Sequence, residues 1–186
     1  KLYDFLPPDH QDTADELKAQ IRLKDLLTMS SGFDMSQNSM ALEGNYQNTN
    51  DWLAAVMSAK MTHTPGERTF YTSSSPFLLG VCLKERLSVS MENYMDQHLL
   101  SPLGITNYII QTDNTRSTPY FGGGMYLTSR DMLKFGQLYL DAGKWNDQQV
   151  LPADWVKQSF DSYGRLENAG DKNEYGYLWW HHTYNI

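Results

Sequence analysis

The chain has 186 residues, 40% hydrophobic and 20% charged, with a formal net charge of −7. That length favours one domain or two small lobes whose core needs no disulfide or metal staple, and the composition excludes collagen-like and grossly disordered chains. The acidic balance argues against nucleic acid as a partner, and no apolar run approaches the ~20 residues of a membrane helix.

In chain order, residues 1 to 20 are polar and contain Pro7-Pro8, which predicts an extended or irregular lead-in. Leu23, Leu26 and Leu27 have helical spacing, with Gly32 as the expected stop. Residues 33 to 50 are rich in Ser, Asn, Gln and Gly and read as a loop. Asn50 is placed to cap a helix over 51 to 59, with Trp52, Leu53, Val56 and Met57 facing the core. Thr64-Pro65-Gly66-Glu67 reads as a turn and Thr69-Phe70-Tyr71 as a short β-prone stretch. Ser75 then caps an apolar, buried helix that carries Pro76 at its first position.

Ser90 caps a further helix to Leu100, stopped by Pro102 and Gly104. Gly122-Gly123-Gly124 precedes the clearest helix, where Thr128 and Asp131 approximate a capping box. Met132, Phe135, Leu138 and Tyr139 form its apolar stripe, and Gly143 ends it. Trp145 to Leu151 reads as a tight turn into a short strand, and Pro152 opens a helix through Trp155 and Val156. Helix follows helix without βαβ alternation, so the expected class is mainly α with a few short strands.

The chain starts at Lys1 with no signal-peptide pattern, and its closing run from Tyr175 is aromatic and β-prone with no polar tail. A strand there would want neighbours, so the expectation is a piece of a longer protein, against the alternative of an edge strand closing a complete domain. His181 and His182 are adjacent and would point to opposite faces of a strand, and there is no His-Glu-x-x-His and no Cys pair, so no metal or other cofactor is expected. The single cysteine, Cys82, lies in an apolar helical pattern and reads as a buried, inert thiol. The glycine run lacks the Lys-Ser/Thr of a P-loop and reads as a closely packed turn.

No Gly-x-Ser-x-Gly elbow occurs, and no serine stands three residues before any lysine, so neither common local serine-activating device is present. Tyr71-Thr72-Ser73 directly precedes the buried helix, and a tyrosine held there by a rigid element suits proton transfer. A phenol ordinarily ionises near pH ~10, so such a tyrosine needs a nearby cation to act as a base. The plain alternative is a packed tyrosine, one of 12 in the chain.

Five segments, in order, resemble the class C β-lactamase-like and penicillin-binding-protein-like serine hydrolases. Leu26-Leu27-Thr28-Met29-Ser30-Ser31-Gly32 resembles their "LLT-x-[ST]-SG" segment, and Pro65 to Ser75 their "PG…F-x-Y-[SA]-N" stretch, followed by Leu78-Leu79-Gly80. Leu100-Ser101-Pro102-Leu103-Gly104-Ile105 resembles "PLGM", Gly122 to Phe135 "GG-hydrophobic-x-[ST]-x-x-D-[ML]-x-[KR]-F", and Tyr175 to Trp180 "YGYGWW".

The resemblance implies acyl transfer through a serine ester on β-lactam, D-alanyl peptide, ester or small-amide substrates, without a cofactor. It implies that Tyr71 is the catalytic tyrosine, that Ser73 stands where many members have a substrate-binding asparagine, and that Gln37 matches a substrate-contacting glutamine. The nucleophilic serine and its lysine lie upstream in the family, and a Lys-Thr-Gly or His-x-Gly strand downstream, so neither is expected in this chain. The implied organisation is residues 1–174 as the helical lobe of an (α/β + α) fold and 175–186 as an isolated strand of a largely missing α/β lobe. The fragment alone is then inactive.

Two other classes compete. Aromatic content of 13% and five Trp suit a non-catalytic helical module binding peptide or glycan, and a degenerate relative is the third reading. Export is usual for relatives, so an extracytoplasmic location is the expectation. Exposed apolar surface or an open strand edge between Tyr175 and Tyr184 predicts self-association.

Overall fold

The computed structural model describes residues 1–115, 118–170 and 173–182. The lead-in is not extended. It folds as three 3₁₀ turns, Leu2–Asp4, Pro8–His10 and Lys18–Gln20, because Leu2 and Leu6 are drawn into the core and the Leu2 amide donates to the Ile21 carbonyl at 2.8 Å.

Helix α1 (Leu23–Leu27) opens with the Asp25 carboxylate accepting the Arg22 amide at 2.8 Å and its guanidinium at 2.7 Å. It stops before Gly32: Met29 takes a left-handed φ of 57° and the Ser30 amide closes onto the Asp25 carbonyl at 2.7 Å. Gly32 has another task, since a Cβ there would collide with the His63 carbonyl. Helix α2 (Trp52–Ser58) is capped by Asp51 rather than Asn50, with Oδ1 accepting the Ala54 amide at 2.9 Å.

Helix α3 (Ser74–Lys84) starts earlier than its capping pattern suggests. Ser73 is the flanking residue, without a side-chain cap, and Ser75 is buried in the first turn. Pro76 is tolerated because the first-turn amides need no partner within the helix. The tertiary demand to bury Phe77, Leu78, Val81 and Cys82 sets the start.

Helix α4 (Met91–Met95) begins at Ser90, whose hydroxyl accepts the Asn93 amide, and runs on as a π-turn over Asp96–Leu100. Strands β1 (Ile109–Ile110) and β2 (Met125–Tyr126) pair antiparallel. Helix α5 (Ser129–Leu140) carries the expected Thr128 cap, its hydroxyl accepting the Asp131 amide at 3.1 Å and donating to that carboxylate at 2.7 Å. Its packed seam is narrower than the sequence stripe: Leu138 is buried, Tyr139 turns to Phe160 and Trp179, and Met132 stays 63% exposed. Strands β3 (Lys144–Trp145) and β4 (Gln148–Gln149) form a hairpin through Asn146 and Asp147, both at positive φ as a two-residue turn requires. Helix α6 (Ala153–Ser159) follows Pro152.

The closing segment is not an isolated strand. Strands β5 (Gly164–Arg165), β6 (Glu174–Tyr175) and β7 (Trp180–His181) make one antiparallel sheet in that order. The chain reverses between β6 and β7 with Leu178 at φ 62°, and the Gly176 amide donates to the Trp179 carbonyl at 2.8 Å. The expected continuation to Tyr184 lies outside the described residues beyond His182.

Among the described residues, three clusters of buried apolar side chains result. The largest joins the lead-in, α1, α2 and α3; a second joins the end of the π-turn to Leu138 of α5; the smallest comprises Met29, Leu166 and Tyr175, with Tyr71 against it. Among the described residues no helix is long and apolar enough to cross a membrane.

Candidate active site

The segment before α3 is threaded between two loops. The Phe70 amide donates to the Met29 carbonyl at 2.8 Å, and the Glu167 amide to the Thr69 carbonyl at 2.9 Å. Arg68 donates from Nε to Glu167 Oε1 at 2.8 Å, and this ion pair holds the Glu167 carboxyl below its ordinary range. Asn168 then clamps Tyr71 from both sides of its peptide: Oδ1 accepts the Tyr71 amide at 2.8 Å and Nδ2 donates to the Tyr71 carbonyl at 3.0 Å.

The Tyr71 ring is half-buried and lies against Trp180 at 4.9 Å between centroids and Tyr175 at 6.2 Å, nearly edge-on to the latter. Burial, with a smaller contribution from Tyr71, pushes the Tyr175 phenol far above its usual range, so Tyr175 stays neutral and serves as a wall. No described residue hydrogen-bonds the Tyr71 hydroxyl, and its backbone and ring are fixed from three directions.

Ser73 is only 2% exposed, and its hydroxyl donates to Glu43 Oε2 at 2.6 Å. The other carboxylate oxygen accepts the Tyr120 hydroxyl at 2.8 Å, and Tyr46 donates to Tyr120 at 3.4 Å. Burial raises Tyr120 and Tyr46 above the ordinary phenol range, so both remain donors. Thr72 ties the same two segments together, donating to the Ala41 carbonyl at 2.9 Å. Ser73, two residues after Tyr71, is thus tied to the exposed Glu43 carboxylate.

Gln37 is exposed in the preceding loop. Its carbonyl accepts Asn45 Nδ2 at 2.9 Å, and among the described residues its side chain bonds neither Tyr71 nor Ser73. Sequence reading missed Asn168, Glu43 and Tyr120. Asn168 meets Tyr71 across 97 residues and Tyr120 meets Glu43 across 77, so no local pattern marks them.

The other chemical candidates have structural roles. Gly122 to Gly124 form a close-packed turn, where a Cβ on Gly122 would lie 2.6 Å from the Tyr120 ring. Cys82 is buried, and burial pushes its thiol up to about 12, which keeps it unreactive. No cluster of metal-ligating side chains occurs among the described residues.

Comparison with known proteins places these features in context. The family model described as Beta-lactamase matches residues 3–185. Protein Rv1367c of Mycobacterium tuberculosis is 24% identical over 78% of this chain and 45% of its own length. Among solved structures, a penicillin binding protein from Bacillus halodurans superposes with a TM-score of 0.69 at 18% identity, covering 97% of this chain and 59% of its own. A D-stereospecific amidohydrolase from Streptomyces gives 0.68 at 16% identity, covering 95% of this chain and 61% of its own. The chain thus spans about half the length of the relatives it matches.

Proposed function

Because the chain belongs to the β-lactamase family, we propose that Tyr71 is the proton-relay residue of a serine hydrolase working through an acyl-enzyme. The observation that carries this is the Tyr71 phenol itself: clamped by Asn168, walled by Tyr175 and Trp180, and without a hydrogen-bond partner among the described residues. In the whole protein a serine and a lysine from outside residues 1–186 complete the site. The serine oxygen attacks the carbonyl carbon, its proton passes to the Tyr71 oxygen, and the tyrosine returns that proton to the leaving group. The lysine cation is what keeps Tyr71 ionised, so that its phenolate oxygen can accept the serine proton at neutral pH.

The substrate is a β-lactam, a D-alanyl peptide, an ester or a small amide, and the 186 residues alone do not turn it over. The whole protein acts outside the cytoplasm, and it self-associates through apolar surface on α5.

The test is hydrolysis of nitrocefin and p-nitrophenyl acetate by the full-length protein, its Tyr71→Phe variant and the 186-residue chain. Loss of the relay lowers kcat by about 10²–10⁴-fold with KM little changed. Wild-type kcat in Tyr71→Phe overturns the role of Tyr71. Turnover by the 186-residue chain that depends on one of its own serines overturns the need for an outside nucleophile.

A further inference from the structure

Two residues beyond Tyr71, the structure sets a carboxylate against Ser73, where the sequence suggests only a serine. Ser73 is buried, and its single proton is committed to Glu43 Oε2 at 2.6 Å. Tyr120 commits its own to Glu43 Oε1 at 2.8 Å, and Tyr46 in turn donates to Tyr120. Every hydroxyl of the group points its hydrogen inward along the chain Tyr46–Tyr120–Glu43 or from Ser73 to Glu43. What remains toward solvent is acceptor capacity: each carboxylate oxygen has accepted one bond and retains a lone pair.

Glu43 is the exposed member of the set, and no arginine or lysine among the described residues forms an ion pair with it. The carboxylate is held in place by two short bonds to rigid partners, one at the start of α3 and one on Tyr120, so it presents fixed negative charge at little ordering cost. A primary amide at this point would offer a donor to a neutral carbonyl. A carboxylate offers none and attracts N–H donors, cationic ones most strongly.

We propose that Glu43 is a specificity-determining residue of this site and selects substrates that carry a protonated amine near the scissile bond. The substrate class is an amide or ester of an amino acid with a free ammonium group, in preference to the same compound N-acylated. This rests on the hydrolase reading for the reaction, but the recognition step stands on Glu43, Ser73 and Tyr120 alone.

The experiment has two readouts on the full-length protein. Calorimetry measures binding of D-alaninamide and of N-acetyl-D-alaninamide; hydrolysis of the corresponding p-nitroanilides measures turnover. Wild type binds the free amine about tenfold more tightly or better, as expected for one partly exposed ion pair, and the preference shrinks as salt is added. Glu43→Gln brings the two ligands to within about twofold of each other, Glu43→Asp keeps part of the preference, and Ser73→Asn strengthens binding of the N-acetyl ligand. Circular dichroism confirms that each variant folds.

Equal binding of the two ligands by wild type, or an undiminished preference in folded Glu43→Gln, overturns the proposal. A Glu43-dependent binding preference without any hydrolysis supports Glu43 while the hydrolase reading fails. Hydrolysis that needs Tyr71 but ignores the amine does the reverse.

Discussion

Lys18 is 2% exposed, with its Nζ donating to Asp12 Oδ2 and to the Met57 carbonyl, both at 2.7 Å. The ammonium is stable there only because both partners are in place. Lys18→Ala removes the stem as well as the charge and strands a buried carbonyl, so it lowers stability by about 2–4 kcal/mol, read from urea unfolding. Lys18→Met keeps the stem packing and loses less, while Asp12→Asn loses least because Asp12 is 37% exposed. His10 supplies a pH-dependent contact to the same region. Burial disfavours its charged ring, but bonds to Asp9 at 3.0 Å and Asp51 at 3.3 Å outweigh burial and raise it above 6.5. A raised folded value means the histidine contributes fully below its unfolded pKa and ceases to contribute as pH rises through the folded one. The stability gap between wild type and His10→Asn is therefore widest near about pH 5 and closes above about pH 8, measured by denaturation at each pH.

Whole elements were readable where the signal is local. The Thr128 cap on α5 and the Asn146-Asp147 hairpin depend on residues within a few positions of each other, and both are present. Starts and stops that answer to distant packing were not readable. Ser75 has every attribute of a cap, yet the need to bury α3 draws it into the helix, and Gly32 answers to His63 rather than to α1. The closing aromatic run hid its reversal because Leu178 adopts positive φ without a glycine or asparagine to mark it. Gly80 shows how a motif glycine acquires its reason only from tertiary structure. On helix propensity alone, Gly80→Ala would stabilise α3 by ~1 kcal/mol. The new Cβ, however, would run into the Phe121 ring and come 3.3 Å from the Pro119 carbonyl oxygen. Overpacking wins, and Gly80→Ala destabilises by about 1–3 kcal/mol in thermal or urea unfolding. Pairing it with Phe121→Leu recovers part of the loss; an additive pair of costs would show that the ring is not the obstacle.

Across the whole molecule, Tyr71 packs against the smallest of the three apolar clusters found among the described residues, and Asn168, which clamps it, lies 97 residues away in sequence. This is why the segment around Tyr71 could be read as a motif, while Asn168, which clamps Tyr71, and Glu43, which accepts from Ser73, could not: a motif records neighbours along the chain, and these contacts are made across it. The same long-range assembly leaves apolar surface uncovered. Helix α5 packs along one seam at Leu138 and turns Leu133, 74% exposed, and Leu140, 82% exposed, to the opposite side. They are seven residues apart, so they share one helical stripe, and Gly136 between them meets nothing within 4 Å. A stripe with an open glycine step lets a second helix approach closely, and the occupant that a chain always has available is another copy of itself. Sedimentation velocity of the chain should show its weight-average mass rising with concentration. The double variant Leu133→Lys/Leu140→Lys should stay monomeric, since two like charges on each copy would face each other across the same stripe. Charge reversal at Ile109, 64% exposed on the separate β1–β2 ribbon, should leave the association of wild type in place. Should Leu133→Lys/Leu140→Lys associate as wild type does while the Ile109 variant becomes monomeric, the contact lies on the ribbon and α5 faces solvent.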